Sequence, residues 1–135
     1  MRLDLSRKTH LALRAMRALE RSGEQVKGVD IASSIETTPQ YLLQVMAPLV
    51  AAGWIASEPG PRGGYRLTQD LEVLSLLDVI EAVEGPLAEG RCVLRDTPCP
   101  NAEECQLHEP WQQARDALVD QLAQTPVTEE AGEAA

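Results

Sequence analysis

The chain has 135 residues, 44% of them apolar, with only 3% aromatic and no Phe, so it is long enough for one domain, or one domain with an appendage, around a core of Leu, Val, Ile and Ala. No apolar run approaches the roughly 18 residues that span a bilayer, and charges break up the first nineteen residues, so no membrane partner and no leader are expected, and a soluble cytoplasmic protein is. The net charge of −9 is unevenly spread: residues 1–68 carry 9 Lys+Arg against 6 Asp+Glu, net +3, while residues 69–135 carry 3 against 15, net −12. An acidic half cannot lie against phosphate, so any nucleic acid should touch the first half alone.

Met1 to Arg21 reads as a helix, with Leu3, Leu11, Ala12, Ala15, Met16 and Leu19 near the helical period. Its basic residues are in the main a solvated face; the early trio Arg2, Arg7 and Lys8 is equally suited to phosphates. Ser22-Gly23 ends it. Val29 to Ile35 is a short helical segment for which Asp30 is the expected N-cap. Thr38 then caps a second helix with Pro39 at its first position, running on as QYLLQVMAPLVAA, with Pro48 expected to bend or loosen its last turn. Gly53 is placed to stop it. A short helix, a turn and a capped second helix make a helix-turn-helix.

Trp54 to Glu58 reads as a strand, and Tyr65 to Thr68 as its return partner. Between them, Pro59-Gly60-Pro61-Arg62-Gly63-Gly64 leaves little alternative to a turn. The helix-turn-helix and hairpin together are a winged-helix pattern, whose second helix can enter a major groove and whose wing can enter a minor groove. Ser75 to Val83 is a further amphipathic helix, with Ser75 and Asp78 at capping-box spacing and Gly85-Pro86 closing it. Pro110 is expected to open the last helix, with Trp111, Ala114, Leu118 and Leu122 along one seam. That seam suits a second copy of the chain, or simply its own domain. TPVTEEAGEAA, from Thr125, reads as a disordered acidic tail. The expected fold is therefore mainly α with a small β-hairpin: a winged helix-turn-helix unit over 1–70, a ligand loop and dimerisation helices over 71–124, and a tail over 125–135.

The stretch from Arg91 to Trp111 holds all three cysteines and a histidine: Cys92, Cys99, Cys105 and His108, spaced C-x6-C-x5-C-x2-H. In a reducing compartment such a cluster favours metal or redox chemistry over disulfides, and an odd number cannot all pair within one chain. Three thiolates and an imidazole suit zinc at least as well as an iron–sulfur cluster on spacing alone. The imidazole binds as a neutral ligand, which gives such a site a different charge and potential from four thiolates and makes its ligand set easier to break. His108 also fits a surface histidine at a helix start. Glu103 and Glu104 are the alternative ligands, with solvated loop charge as their plainer role. An enzyme is not indicated: there is no C-x-x-C, no Gly-rich nucleotide loop and no Ser/His/Asp set, and the other histidine, His10, lies in the first helix.

Together, HLALRAMRAL, YLLQVMAPLVAAGWI, GPRGGYRL, LLDVIEAVEGPL and the RC…C…C..H..W pattern resemble the IscR/NsrR family of iron–sulfur winged-helix regulators, over nearly everything from Met1 to Leu122. The resemblance implies a homodimeric repressor or activator that binds a palindromic double-stranded operator. It also implies a cluster on Cys92, Cys99 and Cys105. His108 matches the IscR branch, in which a histidine completes a two-iron two-sulfur (2Fe-2S) site. The nitric-oxide-sensing NsrR branch, with a four-iron (4Fe-4S) cluster, uses an acidic residue of the first helix of the partner subunit; here Arg7 and Lys8 stand at that position, and Asp4 would serve only after a shift. Gln40, Tyr41 and Gln44 are the candidates to face bases, and Gln44 can pair bidentately with adenine. Thr38, Arg62, Arg66, Arg2 and Lys8 are the candidates for phosphate or minor-groove contact. Tyr41 and Tyr65 fit packing roles as well, and for Tyr65 packing is the preferred role.

Three departures from the family bear on these roles. The first two cysteines are separated by six residues where five is usual. Leu43 stands where many relatives have a glutamate, so their operator sequence should not carry over. Pro59 stands where an arginine is common, with Arg62 three residues later expected to take its place. A structural zinc, or cysteines that sense redox state directly, are the remaining alternatives.

Overall fold

A computed structural model describes residues 3–87, 92–94, 98–100 and 103–128. In these residues the chain forms α1 (Arg7–Ser22), α2 (Gly28–Ser34), α3 (Pro39–Ala51), β1 (Ile55–Glu58), β2 (Gly64–Leu67), α4 (Leu76–Glu84) and α5 (His108–Gln124). The fold is mainly helical with one antiparallel hairpin.

The first helix begins at Arg7 rather than Met1. Ser6 is its N-cap and accepts a hydrogen bond from the Thr9 N–H at 3.2 Å. Leu3 and Leu5 lie outside the apolar stripe and are exposed. Leu11, Ala12, Ala15, Met16 and Leu19 are buried, as their spacing requires, and Gly23 ends the helix at φ 70°. In α2 the expected cap is displaced: Lys27 occupies the cap position without a side-chain bond, and Asp30 lies within the first turn, where its charge faces the positive helix end. The turn to α3 passes through Glu36 at φ 60°, a left-handed conformation unusual for a side chain with a Cβ.

Thr38 caps α3 as expected, accepting from the Tyr41 N–H at 3.1 Å, with Pro39 following. Pro48 leaves the Gln44 carbonyl without its helical donor, and α3 ends three residues later at Ala51, with Gly53 beyond the end at φ 83°. Leu42, Val45, Met46 and Leu49 point into the core against α1, α2 and α4. Each such side chain contributes ~1.5–3 kcal/mol of burial.

The hairpin pairs Ile55 with Leu67 and Glu58 with Gly64. It is anchored from below, because Val26 and Tyr65 exchange both backbone hydrogen bonds at 2.8 Å. Tyr65 is buried, its preferred role. Ser75 and Asp78 complete the capping box of α4 in both directions.

The last helix starts at His108, two residues before Pro110, which occupies the first turn, where proline is tolerated. No residue of α5 is fully buried within the chain. Trp111 and Leu122 are half-buried on the side packed against α4, whereas Ala114 and Leu118 of the expected seam are exposed, Leu118 at 48%. The disordered tail expected from Thr125 is corrected for its first residues, which return to the domain. Leu76 N–H donates to the Thr125 carbonyl and Val127 N–H to the Leu74 carbonyl, both at 2.8 Å, and Val127 is fully buried. Residues 129–135 of that tail lie outside the described residues.

Candidate nucleic-acid interface and cysteine loop

Gln40, Leu43, Gln44 and Ala47 share one face of α3 at i, i+3, i+4 and i+7, and all four are exposed. Gln40 and Gln44 thus stand where base-facing side chains would. Tyr41 is half-buried and packs against the core, the second of the roles open to it. The Thr38 hydroxyl oxygen is occupied as a cap acceptor, yet its hydrogen remains able to donate.

A groove separates the start of α3 from the wing, and its wall includes Val29, Pro39, Leu43, Pro59, Pro61 and Tyr65. The wing tip is held over the linker before α2, because Gln25 Nε2 donates to the Arg62 carbonyl at 2.9 Å. That leaves the exposed Arg62 guanidinium at the outer end of the hairpin. Gly64 makes the close approach possible: a Cβ there would stand 2.5 Å from the Val26 carbonyl oxygen, at φ 155°.

The other basic candidates are not gathered with these. Arg66 lines a different groove, with Glu20, Glu24 and Asp70, whose carboxylates compete with phosphate for it. Lys8 is half-buried in the first turn of α1. Arg2 lies outside the described residues.

Cys92, Cys99 and Cys105 are each half-buried, and no disulfide joins them. His108 opens α5, and its backbone N–H donates to the Cys105 carbonyl at 3.3 Å, which fixes these two candidates within one turn. Glu103 and Glu104 are exposed. Among the described residues no three of His, Cys, Asp or Glu converge as a metal-binding group. The donors therefore share a loop, and the structure does not bring them to a common point.

Two features of this region escaped the sequence reading. Thr9 is fully buried, and its hydroxyl donates to Glu84 Oε2 at 2.6 Å, which ties α1 to the end of α4 where the cysteine loop begins. Its place at i−3 and i−7 from Ala12 and Met16 was the available signal, since a hydroxyl on a buried stripe needs a partner. The second feature is the strap after α5: Arg17 Nε donates to the Val127 carbonyl at 3.1 Å, and the Thr128 hydroxyl to Glu20 Oε1 at 2.9 Å.

Residues 5–129 match the family model described as Rrf2, iron-dependent transcriptional regulator. The chain belongs to the Rrf2 family. It is 32% identical over 122 residues to the HTH-type transcriptional regulator IscR of Vibrio cholerae, covering 89% of this chain and 70% of that one. It is likewise 32% identical over 133 residues to an HTH-type regulator of Mycobacterium tuberculosis strain H37Rv, covering 96% and 82%. The solved structure of Staphylococcus aureus CymR in its oxidized form superposes with a TM-score of 0.75 at 27% identity, covering 98% of this chain and 99% of that one. This Rrf2 chain is accordingly a transcriptional regulator with a DNA-binding winged helix, and not an enzyme. Among the described residues no helix is long and apolar enough to cross a membrane.

Proposed function

We propose that this chain is a cytoplasmic regulator whose grip on a palindromic operator is controlled by an iron–sulfur cluster, 2Fe-2S in type, held by Cys92, Cys99, Cys105 and His108. The observation that carries the proposal is the placement of three of the donors on the one connection between α4 and α5 and of the fourth, His108, at the first position of α5, in a family described as iron-dependent. The donor chemistry fits: three soft thiol ligands outside any disulfide, and an imidazole one turn from the third. Bound there, a cluster supplies a group whose charge and ligand bonds respond to oxidants, nitric oxide and iron supply.

The chain's own residues do the rest. Residues 1–70 hold DNA, with Gln40 and Gln44 toward bases and Thr38, Lys8 and Arg62 toward the backbone or minor groove. Residues 71–124 carry the loop and the exposed α5 face around Ala114 and Leu118, which suits a second copy. Two recognition helices of a homodimer must lie about 34 Å, or a multiple, apart to read both half-sites. The loop that carries the three cysteines runs from α4 to α5, so a group held there would sit between these two helices in the chain.

The test is an absorbance spectrum of anaerobically purified protein, with iron, acid-labile sulfide and zinc counted per chain, repeated on His108→Ala. Visible absorbance with equal iron and sulfide, altered or lost in the variant, is the expected result. A cluster untouched by His108→Ala would instead favour the four-iron nitric oxide sensor. A colourless protein with stoichiometric zinc would remove the cluster and leave a structural staple. A second reading, direct thiol sensing, draws on the likeness to CymR, whose structure is known in an oxidized form. It predicts no metal and DNA binding that falls with peroxide and recovers with thiol.

A further inference from the structure

One exposed leucine on a protein surface needs no explanation. Leu43 is not alone. It is 62% exposed on the outward face of α3, between Gln40 and Gln44. Val29, 58% exposed on α2, lines the same groove, as do Pro39 and the wing residues Pro59 and Pro61. The surface that faces bases in a winged helix therefore carries an apolar wall among its amides. Buried neighbours Leu42, Val45 and Met46 supply the core, so Leu43 is not needed there.

In the major groove one base edge offers an apolar group: thymine, through its C5-methyl. We infer that Leu43, backed by Val29, reads thymine methyls in the operator and is a specificity-determining residue of this regulator. The inference rests on α3 being the recognition helix. Gln40 and Gln44 sit on the same face within the first two turns, the part of a recognition helix that contacts base edges. An amide that pairs with adenine N6 and N7 beside a leucine that covers a methyl selects an A·T pair and its neighbour, not a G·C pair. A protein partner is disfavoured, because the groove that holds the apolar wall is also lined by Gln40 and Lys27, with Glu58 as its one carboxylate.

The experiment has two steps. Duplexes selected from random sequence with the full-length protein give the half-site. Affinity is then measured for the selected duplex and for copies with deoxyuridine in place of one thymine at a time. A methyl buried against leucine is worth roughly fourfold in affinity, so at least one thymine per half-site should show that loss. Leu43→Ala should abolish the thymine–uracil difference while leaving the melting temperature unchanged, because the side chain is exposed. Leu43→Glu should move the selected base toward cytosine, whose N4 amino group a carboxylate accepts from. Equal binding of thymine and uracil duplexes by the unaltered protein overturns the inference, as does a selected half-site without thymine. If Gln44→Ala shifts the selected sequence but Leu43→Ala does not, the thymine reading alone fails. If neither variant shifts it, the recognition-helix assignment fails with it.

Discussion

The return of the chain after α5 makes a quantitative prediction about Val127. Its side chain is 0% exposed, in the same core cluster as Leu71 and Leu74, and its N–H bonds the Leu74 carbonyl. Val127→Ala removes two buried methyl groups, worth about 1.6 kcal/mol at ~0.8 each. Incomplete collapse of the hole brings the loss to about 2 kcal/mol. The backbone bonds to Leu74 and Arg17 use the peptide group and survive the change. With a urea slope of ~2 kcal/mol/M for a small protein, the midpoint should fall by about 1 M. Unfolding is followed by far-ultraviolet circular dichroism at fixed protein concentration, since an oligomer unfolds with a concentration-dependent midpoint. Val73→Ala is the control: the same residue type at 66% exposure should stay within about 0.5 kcal/mol of the parent. If Val127→Ala falls within that same band, the strap is not docked in solution and the reasoning is wrong.

Thr9→Val keeps the volume but removes the donor to Glu84, and should lower stability by ~1–2 kcal/mol; Glu84→Gln on top of it should add little, which a double-mutant cycle in urea would show. Gly64→Ala places a Cβ against the Val26 carbonyl in a left-handed conformation and should lower stability by ~1–3 kcal/mol, with weaker DNA binding at unchanged helix content by circular dichroism. Glu36→Gly relieves the φ 60° strain at the helix-turn-helix corner. Net of the added freedom of the unfolded chain, it should raise the melting temperature by ~2 °C, and a fall would show that Glu36 is held there by favourable contacts.

The elements that could be read from sequence are those fixed by neighbours in the chain. Thr38-Pro39 and Ser75…Asp78 cap α3 and α4 as read, because a cap bonds to a backbone N–H within three residues. The hairpin was legible from its glycines and prolines. What was missed is tertiary. Val127 sits in a polar acidic stretch and is buried only because Leu74 lies beside it. Thr9 reads as one residue of an amphipathic helix until Glu84, 75 residues away, accepts its hydrogen bond. Pro110 suggests a helix start, yet any position of a first turn accommodates it, so α5 could begin at His108. In the interface, the 3.6-residue period placed Gln40 and Gln44 outward. The same period sets Leu43 beside them, and the sequence reading singled it out where many relatives have a glutamate.

These connections also bear on the proposed coupling between the cysteine loop and α3. The connection from Glu84 to His108 is fastened at both ends to elements that touch the DNA-binding unit. At its start, Thr9 holds Glu84 against the first turn of α1, beside Lys8. At its end it passes into α5, which packs on α4, while α4 packs on α1 and α3. The far end of α5 is then stitched by Val127 and Thr128 to Arg17 and Glu20 of the same α1. Both flanks of the connection are thus tied to α1, through Glu84 on one side and through the strap after α5 on the other. The acidic half supports the proposed interface in another way: with net −12 over residues 69–135 it repels phosphate, which favours DNA on the face that carries Gln40, Gln44 and Arg62. In the proposed regulator, the cysteine loop and the DNA-reading helix would be kept apart by charge and joined by packing through α1, the helix that Thr9, Arg17 and Glu20 tie to α4 and to the strap after α5.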